Sequence, residues 1–447
     1  MLPALSVYTS NDYKNLKEGQ QIAFNAAMRG ENMLITGGGG VGKSHLIRIL
    51  ERHIKGLVLT ASTGIAAINI GGQTIDRLMG FGSHLLTIEQ AKRVNAEVKE
   101  RLEKIDVLLI DEVSMVRIDK FELINARLQS AKGEYNLPFG GVQIIVVGDF
   151  CQLKPVLKWN SPEGNHVRQH YRHLIYAFES PVWDAAEIKP YVLNAYVRQG
   201  NEMQRRVLRN LRMGRKLEDA IYHINTMSKG DVVRDTLHLC TTNNQADELN
   251  KERFDLLPGR AKHYRGAIED DFSLLPVPIR ISLKIGTRVL ICVNNANVGY
   301  LNGDLGVIQE MRADHVMVKL DRGETVKITK YEWDEFSYEA KGDSIEKESV
   351  GKYKQLPLKL AYAITIHKSQ GMTLDSVVLD FTRGLFTEGQ AYVALSRVTS
   401  FDRMKLIQPL VKKDIRFDRR AIDFTLKISM QALERWEKDR IRFGMAV

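Results

Sequence analysis

Four short runs in the first 150 residues share one pattern. "MLIT" (33–36), "GLVLTAS" (56–62), "DVLLIDE" (106–112) and "VQIIVVGD" (142–149) are continuous apolar stretches that run into small or polar residues. Continuous rather than alternating apolar runs mark strands buried on both faces. Between them the period changes: "KSHLIRILERHI" sets Leu46, Ile47, Leu50 and Ile54 along one face of a helix. Strands of this kind alternating with helices predict an α/β fold with a parallel sheet covered on both sides. In such sheets ligands bind beyond the carboxyl ends of the strands, which is where the polar residues fall.

The first of these ends is a glycine loop, Gly37, Gly38, Gly39, Gly40, Val41 and Gly42, followed by Lys43 and Ser44. Strand, loop and helix in this order are the context of a P-loop, whose backbone N–H groups curl around phosphate oxygens at a helix N-terminus. Lys43 is expected to reach the β- and γ-phosphates of a bound triphosphate, and the Ser44 hydroxyl to bind Mg²⁺. "VLLIDE" then places Asp111 to hold Mg²⁺ through water and Glu112 to orient or deprotonate the attacking water. After the next run, "VGDFCQLKPV" offers Asp149 and Gln152, the latter a candidate γ-phosphate sensor.

Farther on, "LCTTNNQADELN" (239–250) reads as a strand and a capped helix, and "AYAITIHKSQGMTLDSVVLDF" (361–381) as two strands around a polar loop. Residues 283–329 change character, with β-rich runs separated by Asn-Gly, Asp-His and Arg-Gly turns that predict a small barrel. The arginine-rich run 205–216 is expected to be a solvated helix face, with a direct DNA contact as the alternative. The tail from Asp423 reads as an amphipathic helix of mixed charge, used for packing or, alternatively, for a partner contact.

Composition narrows the class. A chain of 447 residues exceeds one typical core, and 44% hydrophobic with 26% charged residues is ordinary for a soluble globular protein. A formal charge of +10 suits a polyanionic partner. Cys151, Cys240 and Cys292 stand far apart, which argues against a disulfide framework or a zinc site and fits a reducing compartment. No apolar run approaches bilayer length and no targeting segment opens the chain, so a cytoplasmic protein without membrane partners is expected.

"TGGGGVGKS", "LTASTGIAA", "LLIDEVSMV", "PFGGVQIIVVGDFCQLKPV", "HKSQGMTLD" and "GQAYVALSRV", in this order, resemble the motifs of the Pif family of superfamily-one DNA helicases, relatives of RecD and the phage Dda helicase. The likeness runs from about residue 16 to residue 407. It implies two RecA-like P-loop domains with parallel sheets, holding ATP and Mg²⁺ between them. The first would span 1–190 with a small wedge at about 77–105, and the second 191–282 and 357–447 with the C-terminal helix. An SH3-like β-barrel would be inserted at 283–356.

By the same resemblance Gln20 reads adenine, Arg198 and Arg397 are arginine fingers, and Gln390 lies near the nucleotide. Thr63, Gly64, Thr74, Asn243, Thr365, His367, Lys368 and Ser369 would meet DNA. Gln73-Thr74-Ile75 departs from the family's usual His-Ser-Phe, and Lys154 stands where a proline is common. The wedge segment is charged and helix-like, which leaves its strand-separating pin unidentified, with Phe81 a guess. The implied activity is ATP-driven movement 5′ to 3′ on single-stranded DNA, unwinding duplex in replication, recombination or repair. The implied substrates are single-stranded and forked DNA, and the motor is expected to be monomeric, with replication or recombination proteins as partners. Three rivals remain open: a translocase that remodels complexes with little unwinding, a P-loop kinase or switch NTPase, and a non-catalytic DNA-binding module.

Overall fold

The computed structural model describes residues 10–82, 85–194, 201–228, 236–295 and 297–442, apart from the Glu437 side chain. The chain divides into two units, one of residues 1–197, 336–348 and 418–447, the other of 198–335 and 349–417.

The first unit is built on a six-stranded sheet. Its strands are β1 (Met33–Thr36), β2 (Leu57–Ala61), β3 (Gln73–Thr74), β4 (Val107–Asp111), β5 (Gln143–Gly148) and β6 (Lys189–Val192), in the order β3-β2-β4-β5-β1-β6. Every pairing is parallel. Neighbouring positions along each strand feed opposite cores, which is why the runs are apolar throughout. Leu34, Val58, Leu108, Ile144 and Val146 pack on one face, Ile35, Leu59, Leu109, Ile145 and Val147 on the other. Each fully buried Leu or Ile contributes about 1.5–3 kcal/mol, against roughly 1 kcal/mol for a helix cap. Burial therefore outweighs local propensity in fixing these strands.

Three expectations change here. The boundary at 190 cuts β6, which pairs with β1 as far as Val192. The C-terminal helix Arg419–Arg442 belongs to the first unit, not the second, because it packs along β6 and covers that edge of the sheet. Phe81 is only 8% exposed, packed in the core under Lys120 and Arg127 at 5.2 and 5.0 Å from its ring centre, so it cannot be the pin. The segment around it is helical as expected, at Ile88–Ala91 and Ala96–Glu103.

The second unit carries a four-stranded parallel sheet in the order Ala363–Thr365, His238–Cys240, Val377–Asp380, Met404–Leu406. It also holds an antiparallel five-stranded sheet of Arg288–Ile291, Leu305–Met311, His315–Leu320, Thr325–Thr329 and Leu358–Leu360. That sheet runs past the expected boundary at 356, since Leu358–Leu360 pairs with Arg288–Ile291. The strands Tyr331–Lys341 and Ser344–Gln355 are neighbours in a three-stranded sheet. The stretch 336–348 joining them counts with the first unit, where the Tyr338 hydroxyl accepts the Leu59 N–H at 2.9 Å. Among the described residues no helix is long and apolar enough to cross a membrane.

Candidate functional site

The sheet order decides which motifs meet. β5 lies between β1 and β4, so the glycine loop, the 149–152 loop and the acidic pair leave adjacent strands at one edge. At about 4.8 Å per strand, the outer two are roughly 10 Å apart.

The loop after β1 needs its glycines. Gly40 and Gly42 have φ of 83° and 86°, and Gly42 is the N-cap of the helix Lys43–His53. A Cβ on Gly37 would stand 2.5 Å from the Leu193 carbonyl oxygen. Lys43 Nζ donates to the carbonyls of Gly37 and Gly38 at 2.9 and 3.2 Å, and Ser44 lies exposed on the first turn. Gln20 is nearly buried. Its Nε2 donates to Gly42 O at 3.1 Å and its Oε1 accepts the Lys17 N–H at 2.9 Å. The amide expected to read a base edge thus also ties the helix Glu18–Met28 to the end of the glycine loop.

At the end of β4, Glu112 adopts φ 52° and ψ 44°, a left-handed conformation that costs a glutamate on the order of 1 kcal/mol or more. Its N–H donates to Asp111 Oδ1 at 2.9 Å. Ser62, at the end of β2, fixes this turn: its N–H donates to Asp111 O and its hydroxyl to Glu112 O. Sequence reading missed Ser62, because nothing local distinguishes it from an ordinary strand-end serine. Burial, then repulsion from Glu112, push the Asp111 carboxyl up to about 7, while the Glu112 N–H and the Lys43 charge pull the other way. Two adjacent acids with one lysine leave the strand end short of positive charge. A carboxylate and a serine hydroxyl are hard oxygen donors, so the residues present fit a magnesium ion.

Between the two, Asp149 is buried and accepts the Cys151 N–H at 3.2 Å and the Gln152 amide at 3.3 Å. Along the same edge away from the glycine loop, Thr63 caps the helix Gly64–Ile70 through the Ala66 N–H. Thr74 caps Ile75–Leu78 through the Arg77 N–H. Gly64 is the first residue of its helix.

The remaining motif residues lie in the second unit. Thr365 ends its strand and accepts the Lys368 N–H at 3.3 Å, and the buried Ser369 hydroxyl donates to Ile366 O at 2.8 Å. Lys368 is exposed, while His367 is half-buried with its pKa lowered by burial. Asn243 is exposed as the first residue of a helix capped by Thr242. Gln390 accepts the Phe386 N–H at 3.1 Å and donates to Thr241 O at 3.4 Å. Arg397 is buried, with Nε donating to Val393 O and Nη2 to the Ser396 hydroxyl. Arg198 lies outside the described residues.

A glycine loop with its lysine, set one strand away from a paired acid at the carboxyl edge of a parallel sheet, defines a P-loop α/β protein. The model of a family described as PIF1-like helicase matches residues 15–234. The ATP-dependent DNA helicase Pif1 of Bdellovibrio bacteriovorus is 31% identical over 410 residues, covering 88% of each chain. The chain therefore belongs to the PIF1-like helicase family. The human ATP-dependent DNA helicase PIF1 is 31% identical over 443 residues, or 95% of this chain, which spans 65% of the human protein's length. The crystal structure of Bacteroides sp Pif1 in complex with ADP-AlF4 superposes with a TM-score of 0.85 at 30% identity, over 93% of this chain and 97% of the other.

Proposed function

We propose that this chain is an ATP-dependent DNA helicase. The observation that carries the reading is the meeting of Gly37–Ser44, Asp111–Glu112 and Asp149–Gln152 on three adjacent strand ends. Lys43 and the loop N–H groups bind the β- and γ-phosphates, and Ser44 and Asp111 hold Mg²⁺. When bound, the ion neutralises charge on the phosphate oxygens. Glu112 takes the proton of the attacking water, and Gln152 senses the γ-phosphate. Arg198 and Arg397 supply the cations that phosphoryl transfer demands, and Gln20 and Gln390 complete the nucleotide contacts.

For DNA, the reading assigns Thr63, Gly64, Thr74, Asn243, Thr365, His367, Lys368 and Ser369 to the strand. Residues 77–105 act as the wedge and the antiparallel sheet within 283–360 as an SH3-like barrel. Support comes from the excess of positive charge and from the names of the relatives. Single-stranded and forked DNA are the substrates, the direction is 5′ to 3′, and the motor is monomeric.

The test is strand displacement on matched 5′- and 3′-tailed duplexes under single-turnover conditions, with ATP turnover measured alongside. Unwinding from the 5′ tail and turnover stimulated by single-stranded DNA are expected. Equal turnover with and without DNA overturns the coupled motor, and unwinding from the 3′ tail overturns the direction alone.

A further inference from the structure

The helix Arg419–Arg442 packs on the rest of the first unit along its length, and two of these contacts, around Phe424 and around Trp436, lie about 18 Å apart at 1.5 Å per residue. Near its start, Phe424 stacks on Phe178 with ring centres 3.9 Å apart, and lies edge-on to Phe150 at 5.4 Å and to Trp183 at 5.8 Å. The next residue, Thr425, has its hydroxyl 3.3 Å from Cys151 Sγ and donates it to Ala421 O at 2.7 Å. Phe150 and Cys151 are the two residues between Asp149 and Gln152. One helical turn therefore holds the middle of the loop whose ends carry those side chains.

Toward the other end, the Trp436 ring lies over Gly19, where an added Cβ would meet it at 3.7 Å. Arg440 pairs with Glu18 at 2.7 Å. Arg435 donates to Pro190 O in β6 at 2.7 Å and stands over the Tyr191 ring. Gly19 adjoins Gln20, whose amide holds the Gly42 carbonyl of the glycine loop. Phe424 packs on the core of one face of the sheet and Trp436 on the core of the other. The helix thus reaches both flanks of the site from the β6 side.

We propose that this helix positions the nucleotide site, Phe424 and Thr425 setting the Asp149–Gln152 loop and Trp436 setting the Gln20–Gly42 anchor. The inference rests on the ATP-hydrolase reading and adds residues that touch no substrate themselves. The two contacts differ in what they govern. Gln152 belongs to the transferred phosphate, so loosening its loop removes stabilisation made only in the transition state and lowers kcat. The anchored Gly42 belongs to the phosphate cradle used equally by ground and transition states, so loosening it raises KM.

The experiment is an ATP titration of DNA-stimulated turnover by the full chain, for wild type, Phe424→Ala, Thr425→Val, Trp436→Ala and Trp436→Phe. Trp436→Ala is expected to raise KM about 5-fold or more with kcat within about twofold, and Trp436→Phe to restore it. Phe424→Ala is expected to lower kcat about 10-fold with KM within about twofold, and Thr425→Val to do the same more weakly. Thr425→Val leaves no void, so it decides this arm should Phe424→Ala fail to fold. Variants that shift kcat and KM together, or shift neither, show a helix that only packs and overturn the proposal. A wild-type chain without ATP turnover removes the hydrolase reading itself, and this inference with it, before any variant is compared.

Discussion

The carboxyl edge of the six-stranded sheet and the motif loops of the four-stranded sheet both gather family motif residues, yet they treat them differently. In the first unit the acidic pair at the end of β4 is held in tension. Two acids stand side by side, one with its pKa raised, and Glu112 sits in a left-handed turn. In the second unit the polar groups are satisfied by their own backbone. Thr365, Ser369, Gln390 and Arg397 each bond to main-chain groups of the strands, turns and helices that carry them. Stored charge and strain mark a place where a ligand is needed to complete the electrostatics. Satisfied side chains instead shape a loop, while Lys368 and Asn243 stand exposed.

The contrast can be broken most directly at Lys43. Lys43→Ala should reduce phosphate release by about 10³-fold or more while leaving the melting temperature nearly unchanged, since a phosphate-binding cation is lost rather than packing. Equal losses of turnover and stability would make Lys43 a structural residue like those of the second unit. Arg397→Ala tests the other side. As a finger it should cut turnover by about 10³-fold with DNA affinity nearly intact. If melting and DNA binding fall together instead, its bonds to Val393 and Ser396 are its whole role.

A smaller loss, roughly 10²-fold in turnover, is expected for Glu112→Gln, because an amide cannot take the proton from water. Binding of a fluorescent ATP analogue should survive, and normal hydrolysis would remove Glu112 from the role of base.

The smallest effect is on stability. Asp111 has a folded pKa of about 7, above its ordinary 3.8, so the folded state holds a proton that the unfolded chain releases between those values. Its contribution to stability therefore falls as pH rises through that window. Asp111→Asn should raise the melting temperature by a few degrees at pH 8 and by less at pH 5. Added Mg²⁺ should stabilise the wild type at pH 8 and not the variant. A shift independent of pH would mean that the acid pair carries no electrostatic strain.

Much of this was legible in the chain because the signals are local. The glycine loop, its lysine and the run into Asp111–Glu112 are contiguous, and their apolar strands announce themselves by burial on both faces. Asn243 was placed at a helix start by a strand-then-cap pattern that the structure keeps. Phe81 misled because an aromatic in a charged segment looks exposed until Lys120 and Arg127, about forty residues on, are folded over it. The bond from Gln20 to Gly42, 22 residues away, could not be read from the chain, because the pairing is made only when the helix that carries Gln20 packs beside the glycine loop.

Sequence alone thus determined the parallel α/β character, the phosphate loop and the acidic pair, since each depends on neighbours a few residues apart. Tertiary structure decided that β5 separates β1 from β4 and that Ser62 clamps the acidic turn. It also decided that the C-terminal helix returns to the first unit to stack Phe424 against Phe178 and Phe150. Those pairings join residues tens to hundreds of positions apart, and they arise only when the whole sheet assembles and its edge and faces must be covered.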